Sequence, residues 1–111
     1  MNKLQVLVVD DEWNMRNLLR IYLAKNGFHV IEAKNGHEAL SVMDGEDVDL
    51  IILDVMMPDM DGWDVCRKIR QTKDTPILML TARNETKYQS IFTSPPNPIN
   101  SSFYYGLVRE L

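Results

Sequence analysis

The run Asp49-Leu50-Ile51-Ile52-Leu53-Asp54 is apolar at every interior position and stops on a carboxylate. A strand without polar alternation is covered on both faces, as a central strand of a parallel sheet is. A second strand-like run, Leu4 to Val9, also ends on acid, in Asp10-Asp11-Glu12. In a parallel sheet both ends face the same edge, and open α/β sheets take their ligands beyond the carboxyl ends of the strands. Carboxylates gathered there repel one another unless a cation lies among them. A hard, oxygen-liganded Mg²⁺ is the natural candidate. One carboxylate beside it can then act as a nucleophile toward phosphorus.

The remaining pattern agrees with that sheet. Met15, Leu18, Leu19, Tyr22 and Leu23 recur at helical spacing and read as a core-facing stripe, with Asn26-Gly27 as its C-cap. Phe28 to Ile31 reads as a short strand. Asn35-Gly36 opens a short helix carrying Ala39, Leu40 and Met43. Met56 to Asp61 is a loop in which Pro58 fixes φ. Trp63, Val65, Cys66 and Ile69 mark a third helix, and Pro76 to Leu80 a fourth strand ending at Thr81. Strand and helix in alternation imply βαβ units and a doubly wound parallel sheet. Beyond Thr81 the pattern weakens. Glu85 to Phe92 reads as a helix with Tyr88, Ile91 and Phe92 on one face, Ser94-Pro95-Pro96-Asn97-Pro98 as a loop, and Phe103-Tyr104-Tyr105 as a fifth, edge strand.

The chain has 111 residues, enough for one domain and too few for two. A net charge of −4 argues against direct nucleic-acid binding by this segment. Cys66 stands alone, so no disulfide framework exists within the chain, and a reducing, cytoplasmic setting is expected. No apolar run approaches a membrane span, and the N-terminus does not read as a signal peptide. His29 and His37 lack ligand spacing to each other or to the acids. Taken alone, Asp10-Asp11-Glu12 would serve equally well as helix-capping acids.

Residues 4 to about 83 resemble the receiver domain of two-component response regulators. The resemblance rests on Val8-Val9-Asp10-Asp11-Glu12, Asn35-Gly36 with Ala39-Leu40, Leu53-Asp54-Val55-Met56-Met57-Pro58 with Met60-Asp61-Gly62, and Pro76-Ile77 with Leu80-Thr81-Ala82-Arg83. In this order and spacing the pieces are highly specific. The third and fourth look most like regulators whose output domain is a DNA-binding winged helix. The resemblance implies a flavodoxin-like sheet in the order 2-1-3-4-5. It implies that Asp54 accepts a phosphoryl group from a sensor histidine kinase. It assigns Mg²⁺ to the side chains of Asp11 and Asp54 and the main-chain carbonyl of Met56, with Asp10 acting through water. Thr81 and the backbone of Ala82 would meet the phosphoryl oxygens. Such a domain is a signalling switch, with phosphotransfer and autodephosphorylation as its chemistry, rather than a conventional enzyme.

Residues 84 to 106 do not resemble the family, so the expected single domain, 1–111, has a divergent C-terminal quarter with strand 5 and the last helix altered or incomplete. The family carries a lysine before a proline after strand 5; here Asn97 precedes Pro98, and no lysine follows Lys87. Lys87 reads as a solvated helix charge. Two expectations follow: weaker phosphorylation, with a pseudo-receiver interaction module as the alternative, and an uncovered edge at strand 4 through which a homodimer could form. An aspartyl-phosphate phosphatase of the haloacid dehalogenase type would place a second Asp two residues after the nucleophile, where Met56 stands. Flavin binding would need Gly and Ser or Thr in the loop after strand 1.

Overall fold

A computed structural model describes residues 3–84 and 87–92, from residue 81 onward as backbone only. The elements run β1 (Gln5–Val9), α1 (Trp13–Lys25), β2 (His29–Ala33), α2 (Gly36–Gly45), β3 (Leu50–Asp54), α3 (Gly62–Arg70), β4 (Ile77–Asn84) and β5 (Lys87–Phe92). Local chemistry sets the helix ends. The N–H of Gly27 donates to the Ala24 carbonyl and that of Phe28 to the Leu23 carbonyl, each at 3.0 Å, which closes α1 in a Schellman turn. Gly27 has φ +87°, a conformation that costs a side-chain-bearing residue stability. The Asn35 side chain accepts from the Glu38 N–H at 2.8 Å, and the Glu38 carboxylate accepts from the Lys34 N–H at 2.9 Å. Asp61 caps α3 through the Asp64 N–H at 2.9 Å.

The sheet order is β2-β1-β3-β4-β5. The β2–β1, β1–β3 and β3–β4 pairs are parallel. Because side chains alternate along a strand, β1, β3 and β4 each feed two cores. Leu7, Val9, Ile51, Leu53, Ile77 and Met79 pack with Ala39 and Met43 of α2 and Val65, Cys66 and Ile69 of α3. Val6, Val8, Leu50, Ile52, Leu78 and Leu80 form the other core with Leu19 and Leu23 of α1. This double burial is why Val6–Val9 and Leu50–Leu53 carry no polar alternation. It also pins the register, since a one-residue slip would exchange the two faces. Asp10 and Asp54 are thereby delivered to the same edge.

Three expectations are corrected. Leu18 lies on the outer side of α1 and is 47% exposed; the core stripe runs instead through Leu19 and Leu23. β4 does not end at Thr81 but continues to Asn84. Lys87–Phe92 is a strand, not a helix, and pairs antiparallel with β4, with Leu78 opposite Phe92 and Asn84 opposite Lys87. Tyr88, Ile91 and Phe92 favour strand as readily as they fit helical spacing. An antiparallel return needs a short turn, whereas a parallel strand needs a long crossover. β4 is therefore covered along this side, which removes the basis for self-association through its edge. The expected edge strand at Phe103-Tyr104-Tyr105 and the Pro95–Pro98 loop lie outside the described residues.

Candidate functional site

Two loops and a strand meet at the carboxyl edge of the sheet. The β1–α1 loop carries Asp10 and Asp11, the β3–α3 loop follows Asp54, and β4 passes alongside with Leu80 in register with Asp54. The carboxylate oxygens of Asp10, Asp11 and Asp54 offer ligand atoms that all lie within 4.8 Å of one another. Asp10 is 5% exposed, Asp54 half-buried and Asp11 exposed. Among the described residues neither histidine joins this cluster; both are exposed. Nor do the acids cap α1 with their side chains. Glu12 holds the N-cap position without a side-chain hydrogen bond, and Asp10 Oδ1 accepts the Glu12 N–H at 2.9 Å, turning the loop back toward the sheet.

Two carboxyls carry the electrostatic strain of this arrangement. Burial pushes Asp54 up to about 7; the neighbouring Asp10 adds to the rise, the Met56 N–H at 3.2 Å opposes it, and Asp11 and Glu12 contribute further. Burial likewise raises Asp10 to about 6, against the Glu12 N–H and with Asp11 and Glu12 adding repulsion that Arg16 partly offsets. A site that disfavours its own negative charge in this way is one a cation stabilises. The donors are all oxygen, which suits a hard divalent ion. Around Mg²⁺, bonds of about 2.1 Å place adjacent ligand oxygens roughly 3 Å apart and opposed ones about 4 Å apart. The observed spread reaches that with small side-chain adjustments.

The Met56 side chain is exposed, and its N–H engages one Asp54 oxygen; among the described residues no hydrogen bond engages the other. Thr81 and Ala82 lie one and two residues beyond Leu80, opposite Gln89 and Tyr88 in the β4–β5 ladder. Lys87 is on β5, paired with Asn84.

Two contributors have no clear signal in the sequence. A Cβ on Gly62 would lie 2.4 Å from the Asp54 carbonyl oxygen and 2.8 Å from Val55 Cα, so the turn into α3 closes over the Asp54 backbone only with glycine there. The Gly62 N–H donates to the Val55 carbonyl at 2.9 Å. Gly62 stands in the Met60-Asp61-Gly62 motif, but its role depends on tertiary approach. Arg16 looks like a solvated helix charge; instead its Nη1 donates to the Asp10 main-chain oxygen at 2.7 Å.

A family model described as the response regulator receiver domain matches residues 6–93. The transcriptional regulatory protein ResD of Bacillus subtilis is 51% identical over 84 residues, covering 76% of this chain and 35% of that protein. The alkaline phosphatase synthesis transcriptional regulatory protein PhoP of the same organism is 51% identical over 86 residues, covering 77% and 35%. The chain thus spans about a third of the length of these curated relatives. Among solved structures, the chemotaxis protein CheY4 of Vibrio cholerae superposes with a TM-score of 0.71 at 38% identity, over 77% of this chain and 73% of that one. The receiver domain of the Francisella response regulator 1452 gives 0.70 at 32% identity, over 76% and 70%.

Proposed function

The chain belongs to the response regulator receiver domain family, and on that premise we propose that Asp54 is its phospho-acceptor, loaded by a sensor histidine kinase in a Mg²⁺-dependent reaction. Receiver domains of response regulators are phosphorylated by such kinases. The observation that carries the assignment to Asp54 is the meeting of its carboxylate with those of Asp10 and Asp11.

The Asp54 oxygen left open by the Met56 N–H attacks the phosphorus of a phosphohistidine. The P–N bond breaks, its electron pair leaves with the imidazole, and an acyl phosphate forms on Asp54; slow hydrolysis later returns the carboxylate. Asp11, Asp54 and the Met56 main-chain carbonyl would hold the Mg²⁺, with Asp10 acting through water. When bound, that ion supplies neutralisation for the phosphoryl oxygens, which such transfers need more than covalent help. The Asp10 carboxylate keeps the pocket negative and so favours the cation. The Thr81 hydroxyl and the Ala82 backbone, next along β4, would receive the added oxygens and couple the new charge to the β4 side of the sheet.

Residues 1–111 act in this reading as one receiver unit, in a reducing, cytoplasmic setting. The transcriptional relatives support a DNA-binding winged helix as the output in a longer protein. Among the described residues no helix is long and apolar enough to cross a membrane. Intact-mass measurement after acetyl phosphate treatment tests the assignment. One added phosphoryl group is expected with Mg²⁺ and none after chelation or in Asp54→Asn; a label that persists in Asp54→Asn means another acceptor.

A further inference from the structure

We infer that Arg16 is a positioning residue for the Mg²⁺ site, clamping the Asp10–Asp11 peptide and so aiming the Asp11 carboxylate. This rests on the reading of Asp10, Asp11 and Asp54 as a Mg²⁺-dependent phospho-acceptor site. Arg16 Nη1 donates to the Asp10 main-chain oxygen at 2.7 Å, while its Nε faces Glu32 Oε1 of β2 at 3.3 Å. The Arg16 side chain is only 13% exposed. Arg20 Nε holds the other Glu32 oxygen at 3.7 Å. A helix residue thus reaches across the loop and is anchored on the neighbouring strand.

The bonded carbonyl matters because it belongs to the same planar unit as the Asp11 N–H. The Asp10 side of that plane is already fixed, by the Asp10 N–H on the Ala33 carbonyl at 3.1 Å and by Oδ1 on the Glu12 N–H. Among the described residues no hydrogen bond holds the Asp11 side chain itself. Its anchor point therefore follows from the backbone, whose peptide plane Arg16 holds, and the carboxylate turns only about its own side-chain bonds. The guanidinium's planar fork allows one nitrogen to serve the carbonyl while another pairs with Glu32; an ammonium offers a point charge instead. Glu32, shared with Arg20, offsets part of the Arg16 charge on the side away from the acidic pocket.

Mg²⁺ titration of the full chain, read by Trp13 fluorescence in a Trp63→Phe background, tests the clamp without any phosphoryl chemistry. Trp13 is 63% exposed and two residues from Asp11. Outer partners of metal ligands commonly change affinity by about 10-fold or more. Arg16→Met is expected to raise the Mg²⁺ Kd about 10-fold, Arg16→Lys by less, and Glu32→Gln about 3-fold. The double variant Arg16→Met/Glu32→Gln should match Arg16→Met alone, because the two act through one contact. A merely structural role would lower the Tm in EDTA and leave the Kd of the folded protein unchanged, and that result overturns the inference. So does tighter binding in Arg16→Met, which would mean that charge rather than placement is what counts. Should Arg16→Met fail to fold, the half-exposed Glu32→Gln decides. A parent chain with no saturable Mg²⁺ response sinks the metal reading and the clamp together; saturable binding with unaltered variants sinks the clamp alone.

Discussion

The two arms of the acidic pocket are held in different ways. Both arms share one restraint, a carboxylate Oδ1 that accepts the main-chain N–H two residues on, Met56 for Asp54 and Glu12 for Asp10. Beyond it the β3 arm is fixed by backbone, with Asp54 in ladder register with Leu80 and under the Gly62 turn, whereas the β1 arm is held by a side-chain clamp, the Arg16 bridge from the Asp10 carbonyl to Glu32. Backbone restraint suits the nucleophile, whose position must be reproduced closely. Side-chain restraint leaves Asp11 exposed and adjustable, which suits a ligand that closes on an arriving ion. The contrast also locates sensitivity: a methyl group is enough to disturb one arm, whereas the other yields to loss of charge or of a hydrogen bond.

The largest expected effect removes a ligand from the adjustable arm. Asp11→Asn should weaken Mg²⁺ binding by at least about 100-fold, equivalent to roughly 3 kcal/mol, as read by the same fluorescence titration. A near-normal Kd would show that the β1 arm does not hold the metal. Next comes Gly62→Ala, which presses a methyl onto the Asp54 carbonyl; destabilisation of about 1–3 kcal/mol in urea melts is expected, with slower acetyl phosphate labelling. Parental stability and labelling would contradict the backbone account of the β3 arm. Gly45→Ala, with nothing within 4 Å of its would-be Cβ, is the control and should change stability by less than about 0.5 kcal/mol.

Proton linkage sharpens the comparison further. Asp54 and Asp10 rise from 3.8 to about 7 and about 6 in the metal-free fold. Between about 4 and 7 the folded state therefore holds more protons than the unfolded chain, so metal-free stability should fall as pH rises through that window and level off above it. The drop should be of the order of 2 kcal/mol, after allowing for the half-buried position of Asp54. Urea melts in EDTA at pH 5 and pH 8 measure it, and saturating Mg²⁺ should abolish or reverse the trend. A stability that rises with pH in EDTA would mean that the carboxyls are not crowded as described. The smallest effect is expected at Leu18, on the outer side of α1: Leu18→Ala should cost well under 1 kcal/mol, against about 2–5 kcal/mol for Leu19→Ala in the core.

Most of the sheet and its acidic edge was legible because Leu50–Leu53 and Val6–Val9 are apolar on both faces, and a strand so composed has few places to go. The carboxylates at their ends then had to share an edge. The route after Leu80 was less legible. Tyr88, Ile91 and Phe92 satisfy helical spacing over too few turns to exclude a strand, and the pairing available from β4 settled the outcome. Leu18 misled for a related reason, since periodicity gives the apolar stripe but not its limits.

The order of amino acids alone determined the alternation of elements, the helix caps at Asn35 and Gly27, and the identity of the three acids, because local hydrogen bonding and burial act within a few residues along the chain. Only the tertiary structure decided that Gly62 must lie under Asp54, that Arg16 reaches the Asp10 carbonyl, and that β5 returns antiparallel. Each of those depends on how a loop folds back over a strand end or on competition among pairings, and neither is written in a local pattern.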